Sequence, residues 1–220
     1  PRRAYQDNVV HYTWHWFHHW GTGECGNNAT HYVDIARWAL NVTFPTRVTC
    51  GGGRLFHEGD DWEWFDTQAA TFEFPGNRFM TWEGLTSVRA RPYEGFSTGC
   101  MIYGLKGAVL FTPNNVCTLF DPSGKELKKW TAKDVVGDAT NRTDPTQGLD
   151  ATHLSNFVNC IREKNPATAA PAGIAHTSTL LTHLANIAHR TGETVKVNPE
   201  TGRLAAGSPG AELWAREYEK

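Results

Sequence analysis

The sequence predicts an α+β fold, an open, mostly antiparallel sheet with helices packed on one face. Segments with period-2 alternation follow one another along the middle of the chain. Turns of only a few residues join these segments, so successive strands are expected to pair antiparallel. Segments with the helical period of 3.6 lie before and after this region rather than between the strands, which favours α+β over a doubly wound sheet.

The strand predictions rest on alternation and on turn residues. Within 67–74, Ala70, Phe72 and Phe74 face one side while polar residues face the other. Pro, Gly and Asn at 75–77 then turn the chain into a second strand, which makes a hairpin. The predicted strands are 46–56, 67–74, 78–85, 100–103, 108–111, 116–120, 125–130 and 194–197.

Residues 21–40 are predicted to form a glycine-rich turn followed by a helix. The helix should begin at Asn27 or Asn28, because a short amide side chain can satisfy a free N–H group of the first turn. Its apolar face has the spacing i, i+3, i+4, i+7 and consists of Tyr32, Ile35, Ala36 and Ala39. Further helices are predicted over 152–162 and 174–190, and a last one over 208–218.

His31 is the first candidate for chemistry in this segment. A helix that begins at Asn27 or Asn28 places His31 in the first turn, where the positive end of the helix dipole disfavours protonation. A neutral imidazole there can accept a proton from a substrate hydroxyl, with Asp34 one turn on to orient it. Asn27, four residues earlier, can present a third polar group. The alternative is a capped core helix whose histidine only hydrogen-bonds to the backbone.

Residues 11–20, HYTWHWFHHW, consist almost entirely of histidine and aromatic residues. Interpreted as a strand, the run places Trp16, His18 and Trp20 on one face. Such a face suits sugar rings, which stack on aromatic side chains and hydrogen-bond to histidine. Packing of the run against the helix that follows is a second interpretation. A third is a metal site, which would draw on His15, His18 and His19.

The predicted helix 174–190 carries beside its apolar face a polar stripe that consists of His176, His183 and Asn186, with Arg190 at its end. His176 and His183 on this stripe lie about 10.5 Å apart along the helix axis. That separation is too large for the two imidazoles to bind one metal ion together. One of them can reach a cleft while the other is structural, and His176, nearer the helix start, is the preferred candidate.

Composition excludes several classes of partner. The 220 residues carry 21 basic and 23 acidic side chains, so no strong field favours nucleic acid or a membrane surface. No apolar run approaches the roughly 18 residues of a membrane span, and no signal segment is evident. The five cysteines lie at irregular spacings and are typical of small buried residues rather than a disulfide framework or zinc site.

The spacing around His31 resembles the C-terminal domain of the Gfo/Idh/MocA oxidoreductases, named for glucose–fructose oxidoreductase and inositol dehydrogenase. Those proteins carry a glycine-rich turn, a polar residue, three further residues and a catalytic histidine that opens a helix. Here Asn27 and His31 occupy these two positions. The family most often has Asp at the first, although one branch has a GN-x-x-x-H version. The difference matters, because an amide cannot share a proton with histidine as a carboxylate can. The stretches 11–20 and 173–192 also resemble the family.

The resemblance implies an enzyme that oxidises or reduces a sugar, sugar derivative or cyclitol with NAD or NADP. His31 would handle the hydroxyl proton. The implied catalytic residues are His31 and Asn27, and the candidates for substrate binding are Trp16, His18, Trp20, Asp34 and His176.

In that family an N-terminal Rossmann domain binds the dinucleotide and carries a catalytic lysine in a Glu-Lys-Pro motif. Neither is predicted here, and the three glycines at 51–53 open no helix, so no cofactor-binding residue is predicted. We expect residues 1–220 to be one substrate-binding and oligomerisation domain of a longer protein, inactive alone. An antiparallel sheet with helices on one side leaves the other face for a homo-oligomer contact.

Two alternatives to a dehydrogenase remain open. Some members of the resembled family use a transient oxidation to break glycosidic bonds, so an NAD-dependent glycosidase is the first. A non-catalytic carbohydrate-binding module built on the tryptophan-rich run is the second. Both a cytoplasmic and a periplasmic location remain open.

Overall fold

A computed structural model describes residues 4–87, 98–112, 116–131 and 147–215. The chain forms two compact units, one of Pro1–Val88 with His176–Lys220 and one of Arg89–Ala175. Each unit contains a four-stranded sheet whose neighbouring strands pair antiparallel. The predicted α+β class with antiparallel pairing is confirmed, and the strands are divided between two sheets.

The described elements are as follows in chain order. The strands are β1 (Arg47–Gly53), β2 (Thr67–Phe74), β3 (Arg78–Leu85), β4 (Cys100–Gly104), β5 (Gly107–Thr112), β6 (Val116–Phe120), β7 (Glu126–Trp130) and β8 (Val195–Lys196). The α-helices are α1 (Asp7–Val10), α2 (Thr30–Leu40), α3 (Gln147–Arg162) and α4 (Ala172–Thr191). Cys25–Ala29 is π-helical, and Thr13–Trp16 and Ala211–Leu213 are 3₁₀-helical.

The sheet of the first unit has the strand order β3-β2-β1-β8. Strands β2 and β3 pair over their full length, from Thr67 opposite Leu85 to Phe74 opposite Arg78. The turn between them is tight because Gly76 and its neighbour at 77 both adopt positive φ angles, 77° and 56°. Both strands begin and end where the sequence predicts.

The core of this unit lies on one face of the sheet. Ala70 and Phe72 of β2 are each 1% exposed, as their alternation predicts. Gln68 lies on the same face of β2 and hydrogen-bonds to Asn186 of α4. Leu184 of α4 is fully buried. Helix α4 therefore packs against the buried face of the sheet, and apolar burial of this kind stabilises the unit by roughly 25 cal/mol per Å².

The aromatic run 11–20 is not a strand, and this prediction is wrong. The chain forms α1, then an isolated positive φ of 73° at Tyr12, then the 3₁₀ helix Thr13–Trp16. Alternation identifies a strand only when its two faces differ in polarity. Here nearly every residue is aromatic or histidine, so the pattern does not distinguish a strand from a compact turn.

The sheet of the second unit has the order β4-β5-β6-β7, built from consecutive hairpins. Helix α3 covers the predicted segment 152–162 and begins earlier, at Gln147. The spacing predicts its apolar stripe, and four members of that stripe are exposed, namely Leu154, Phe157, Val158 and Ile161. Periodicity identifies the apolar face of a helix but not what covers it.

The last predicted helix is only partly formed in the described chain. Ala211–Leu213 makes a single 3₁₀ turn after Gly210, whose φ is 86°. Residues 216–218 of the predicted helix lie outside the described residues. Within the described chain, no helix has the length and apolar character needed to cross a membrane.

Candidate functional site

The glycine-rich turn lies directly against the aromatic run and against Trp64. A Cβ atom on Gly21 would lie 2.3 Å from the Cα atom of His15, so a side chain at this position would collide with the backbone. Gly23 has a φ of 66°, and a Cβ there would lie 2.9 Å from the Trp64 side chain. The indole N–H of Trp64 donates a 3.0 Å hydrogen bond to the carbonyl oxygen of Gly21. The turn is therefore fixed by contacts with His15 and Trp64.

The helix that follows begins earlier than the sequence indicates. Right-handed helical backbone begins at Glu24, directly after Gly23, and passes through the π-helical segment into α2. The prediction that Asn27 or Asn28 caps the helix is wrong, because both lie inside it. His31 is consequently not in the first turn, and the dipole argument for its neutrality does not apply.

Burial explains why the helix extends through residues that are poor helix formers. Cys25 and Ala29 are each 1% exposed, so packing of this face outweighs the weak helix propensity of the glycine and asparagines between them. One-turn π segments inside helices occur frequently at functional sites. Asn27 lies within this segment.

A cavity of about 160 Å³ opens beside Asn27. The Asn27 side-chain amide donates a 3.2 Å hydrogen bond to the hydroxyl oxygen of Tyr12. Tyr12 has a positive φ, which is strained for a residue with a large side chain. Strained residues of this kind are often found at ligand sites. The cavity is lined by Tyr12, Trp14, His15, Thr22, Gly23, Gly26 and Asn27.

His31 is exposed on α2, about one helical turn beyond Asn27. Among the described residues, no hydrogen bond joins its imidazole to Asn27 or to Asp34. The His31 imidazole is therefore exposed and is held by neither of these two residues. The predicted orientation of His31 by Asp34 is not present in this structure.

Asp34 is used to hold two helices together. Its carboxylate accepts a 2.5 Å hydrogen bond from the hydroxyl of Ser178 on α4 and lies 3.5 Å from the guanidinium of Arg37. Arg37 in turn donates a 2.8 Å hydrogen bond to the Ser178 hydroxyl oxygen. His176, two residues before Ser178, is exposed. These contacts give Asp34 a structural role, and substrate binding by Asp34 or His176 stays a prediction.

The predicted aromatic wall is partly covered by the acidic loop 57–64. Trp16 is 3% exposed and stacks on Trp62 of this loop, with ring centroids 4.3 Å apart. The backbone N–H of His18 donates a 2.6 Å hydrogen bond to the carboxylate of Glu63. Trp20 is half-buried, with its ring edge-on to Phe17. Trp16 therefore presents no open face to a sugar ring here, while His18 and Trp20 keep part of their surface exposed.

Asp66 holds the loop that precedes this acidic segment. Its carboxylate is 1% exposed and accepts backbone hydrogen bonds of 2.9–3.0 Å from Leu55, Phe56 and His57. Burial alone would raise the pKa of Asp66, but these hydrogen bonds and one from the Thr67 hydroxyl outweigh burial and lower it. Asp66 is therefore a buried, ionised anchor of the loop.

Besides the hydrogen bond from Trp64, a hydrogen bond from Asn186 holds the glycine-rich turn in place. The Asn186 amide donates a 2.8 Å hydrogen bond to the carbonyl oxygen of Thr22. Its oxygen accepts a 3.2 Å hydrogen bond from the Gln68 amide, which also lies 3.2 Å from the Cys50 sulfur. Asn186 and Gln68 are 4% and 2% exposed. This buried amide pair connects β2 and α4 to the cavity wall.

Cys25, Cys50 and Cys100 are poorly suited to act as nucleophiles. All five are free, and Cys25 directs its thiol to the carbonyl oxygen of Thr182. Burial raises the pKa of Cys25 well above its usual value and raises the pKa of Cys50 and Cys100 to about 11. Thiols of this kind stay protonated at neutral pH and behave as small buried side chains.

The residues described here do not form a dinucleotide cradle. The glycines at 21, 23 and 26 match the spacing G-x-G-x-x-G, but a 3₁₀ turn rather than a parallel strand precedes them. A Cβ on Gly26 would collide with Thr22, just as a Cβ on Gly21 or Gly23 would collide with its neighbours, so these glycines allow close packing of the chain on itself. The glycines at 51–53 lie within β1. Within the described residues, no group of three or more His, Cys, Asp or Glu side chains is placed to hold a metal ion.

The sequence did not single out His15 and Asn186, which shape the site, or Asp66, which anchors the neighbouring loop. His15 was indicated only as a possible metal ligand, yet it is 6% exposed and lines the cavity. Asn186 lay on the polar stripe of the predicted helix, which was the available signal. Asp66 followed the acidic loop without any distinguishing pattern.

The fold and the site define the class of protein: an antiparallel α+β domain in which a polar helix segment lies beside a small aromatic cavity. Residues 2–110 match the family model of the GFO/IDH/MocA C-terminal domain. Over these residues the chain belongs to the GFO/IDH/MocA family, and the resemblance seen in the sequence is confirmed.

Solved structures of low sequence identity share the fold. Levoglucosan dehydrogenase in complex with NADH and levoglucosan matches with 14% identity and a TM-score of 0.63, over 84% of this chain and 53% of that chain. Aldose-aldose oxidoreductase from Caulobacter crescentus, complexed with glycerol, matches with 17% identity and a TM-score of 0.57, over 84% and 50%.

An oxidoreductase from Agrobacterium radiobacter in complex with NAD⁺, L-tartaric acid and magnesium matches with 14% identity and a TM-score of 0.55, over 77% of this chain and 47% of that chain. The chain thus spans about half the length of the solved structures it matches. No curated protein matches the sequence.

Proposed function

We propose that this chain is the substrate-binding C-terminal domain of an NAD(P)-dependent oxidoreductase that acts on a sugar, sugar derivative or cyclitol. The observation that carries the proposal is the family match over residues 2–110, which includes both Asn27 and His31. The geometry supports it, because Asn27 lines a cavity with aromatic walls and His31 is exposed one turn farther along the same helix.

His31 is the residue that exchanges a proton with the substrate hydroxyl. An exposed imidazole can accept a proton in oxidation and return it in reduction, which is typical general acid–base chemistry worth roughly 10²–10⁴-fold in rate. Asn27 positions the substrate through its amide, since an amide does not exchange protons at neutral pH. Its remaining carbonyl oxygen can accept a hydrogen bond from a hydroxyl group.

The nicotinamide cofactor is held elsewhere in the whole protein. The described glycine turns fit the chain itself and not a pyrophosphate, so no contact with the dinucleotide is assigned to them. Calorimetric titration of this chain with NAD⁺ and NADP⁺ is expected to give no binding. Micromolar affinity for either would contradict the assignment of the cofactor to another domain.

The decisive experiment uses the protein that joins this chain to its dinucleotide-binding domain. Turnover with NAD⁺ and NADP⁺ is measured on myo-inositol, D-glucose and levoglucosan, for the unaltered protein and for H31A, N27A and N28A. We expect H31A to lower turnover by roughly 10²–10⁴-fold, N27A to cost less, and N28A to serve as the control. Asn28 is exposed and hydrogen-bonds to Glu24, away from the cavity lining.

Melting temperatures of the same variants separate catalysis from folding. Turnover per folded molecule that survives H31A would show that His31 is not the proton-transfer residue. Hydrolysis of p-nitrophenyl glycosides in place of sugar oxidation would identify a glycosidase instead.

A further inference from the structure

His15 lies at the cavity with one ring nitrogen unused. Its ring is 6% exposed, and Nδ1 lies 2.5 Å from the carbonyl oxygen of Tyr12. A carbonyl oxygen can only accept a hydrogen bond, so Nδ1 carries the proton. In the neutral imidazole Nε2 is then an acceptor with a lone pair.

The Nε2 atom of His15 is buried and has no hydrogen-bond partner among the described residues. Its surroundings are aromatic: the rings of Tyr12, Trp14 and Trp16 lie 4.7, 6.1 and 4.7 Å from the His15 ring centroid. Aromatic faces and edges leave an imidazole lone pair unsatisfied. A buried acceptor without a partner is rare in folded proteins and calls for a physical explanation.

Two of these three aromatic neighbours of His15 are themselves exposed. Tyr12 is 69% exposed and Trp14 is 47% exposed, while both line the cavity with His15. The Tyr12 hydroxyl is held by the Asn27 amide, and its backbone is strained. A ligand that takes over the Asn27 hydrogen bond frees the Tyr12 ring, and rotation of an exposed ring needs no repacking of the core.

We propose that His15 is a further ligand-contacting residue of this site, whose Nε2 accepts a hydrogen bond from a hydroxyl of a neutral polyol bound beside Asn27. The substrate class rests on the proposed function. The aromatic walls suit the C–H faces of such a molecule. The carboxylate end of a sugar acid offers only acceptors to Nε2, so such an acid has fewer orientations that supply a donor than a neutral polyol has.

The test is an NMR titration of the unaltered chain labelled with ¹⁵N in histidine and asparagine. The probes are myo-inositol and D-glucose as neutral polyols and D-gluconate as the acid. In the free chain, His15 Nε2 is expected to give the resonance of an unprotonated ring nitrogen. A neutral polyol is expected to shift that resonance and the Asn27 side-chain amide together, in a saturable manner, with a smaller effect from gluconate.

Variants supply a second measurement. H15F keeps an aromatic ring but removes the acceptor, and we expect it to weaken myo-inositol binding about tenfold. H15Q retains an acceptor oxygen and should keep more of the affinity. H19F alters an exposed histidine of the same run that does not line the cavity, and should leave binding unchanged. The titration of the unaltered chain is decisive even where H15F does not fold.

Three results would overturn the inference. Movement of the Asn27 amide with a fixed Nε2 resonance shows that the polyol binds without His15, and leaves the proposed function standing. A protonated Nε2 in the free chain removes the acceptor. Absence of any shift at His15 and Asn27 with all three probes rejects both the contact and the proposed site.

Discussion

The side-chain amide of Asn186 donates a hydrogen bond of 2.8 Å to the carbonyl oxygen of Thr22, across 164 positions of sequence. Thr22 lies in the glycine-rich turn that lines the cavity, and Asn186 lies at a buried position of α4. The position of the turn therefore depends on the helix that packs under it. Loss of the Asn186 side chain should therefore change the position or mobility of the turn that lines the cavity.

Replacement of Asn186 by Ala should destabilise the chain by about 1–3 kcal/mol, because the Thr22 carbonyl and the Gln68 amide each lose one hydrogen bond. Chemical denaturation measures this change. Hydrogen exchange at Gly23 and Gly26 should also become faster, since the turn loses its attachment to α4. N159A, at an exposed asparagine of α3, is the control and should change neither quantity. Equal stability of N186A and N159A would show that the amide pair contributes nothing.

Asp66→Asn should loosen the loop at 54–57. The amide group of Asn places donors opposite backbone N–H groups, so at least one of the three hydrogen bonds is lost, at a cost of about 1–3 kcal/mol. Because the folded state lowers the pKa of Asp66, its stabilising effect is present above the unfolded value of about 3.9 and is lost as pH falls through the folded pKa. Denaturation curves at pH 7 and pH 3 should therefore differ less for D66N than for the unaltered chain. The matched control is D61N, at an exposed aspartate. If D66N and D61N show the same difference in stability between pH 7 and pH 3, this account is contradicted.

His189 should make the fold less stable in mild acid. Its ring stacks on Phe65 with centroids 3.3 Å apart. Burial lowers the pKa of His189, although hydrogen bonding to the backbone of Gly52 and of His189 itself opposes part of this shift. The unfolded chain then binds a proton more readily, so stability falls as pH drops through about 6.5 towards the folded pKa. H189Q should flatten this dependence between pH 7 and pH 5 while H176Q, at an exposed position of the same helix, should not. If stability depends on pH in the same way in H189Q as in the unaltered chain, His189 is not the source of this dependence.

Self-association through the outer face of the first sheet stays a prediction, and the structure refines which residues would take part. Phe72 and Trp82 face the core, whereas Phe79 and Leu85 of β3 are 55% and 44% exposed. If this face joins two copies, F79E should shift light scattering towards the monomer at tens of micromolar protein. Phe56 is equally exposed at 55% but lies outside the sheet, so F56E is the matched control. A dimer unaffected by F79E would place the contact on another surface.

The sheet was predictable because its determinants are local. Strands β2 and β3 alternate cleanly and are joined by a turn whose residues tolerate positive φ, so their bounds follow from sequence. The cavity was less predictable. The run 11–20 has no polar contrast between its two faces, so its compact 3₁₀ turn could not be distinguished from a strand.

The site residues also divide into those that local sequence places and those that depend on distant contacts. Asn27 and His31 are four positions apart, and their placement on one helix follows from that spacing. Whether His15 or His18 is buried depends on Gly21 and on the acidic loop, which lie elsewhere in the sequence. The contact between Asn186 and Thr22 depends on how α4 packs, which no local pattern reveals.

The amide pair of Gln68 and Asn186 carries a consequence for how this family varies. The Gln68 amide donates to the side-chain oxygen of Asn186, so a change at either position removes this buried hydrogen bond unless the other position changes with it. Thr22 contributes only its main-chain oxygen to the pair. Among homologues, positions 68 and 186 should therefore covary, while residue 22 drifts independently of both.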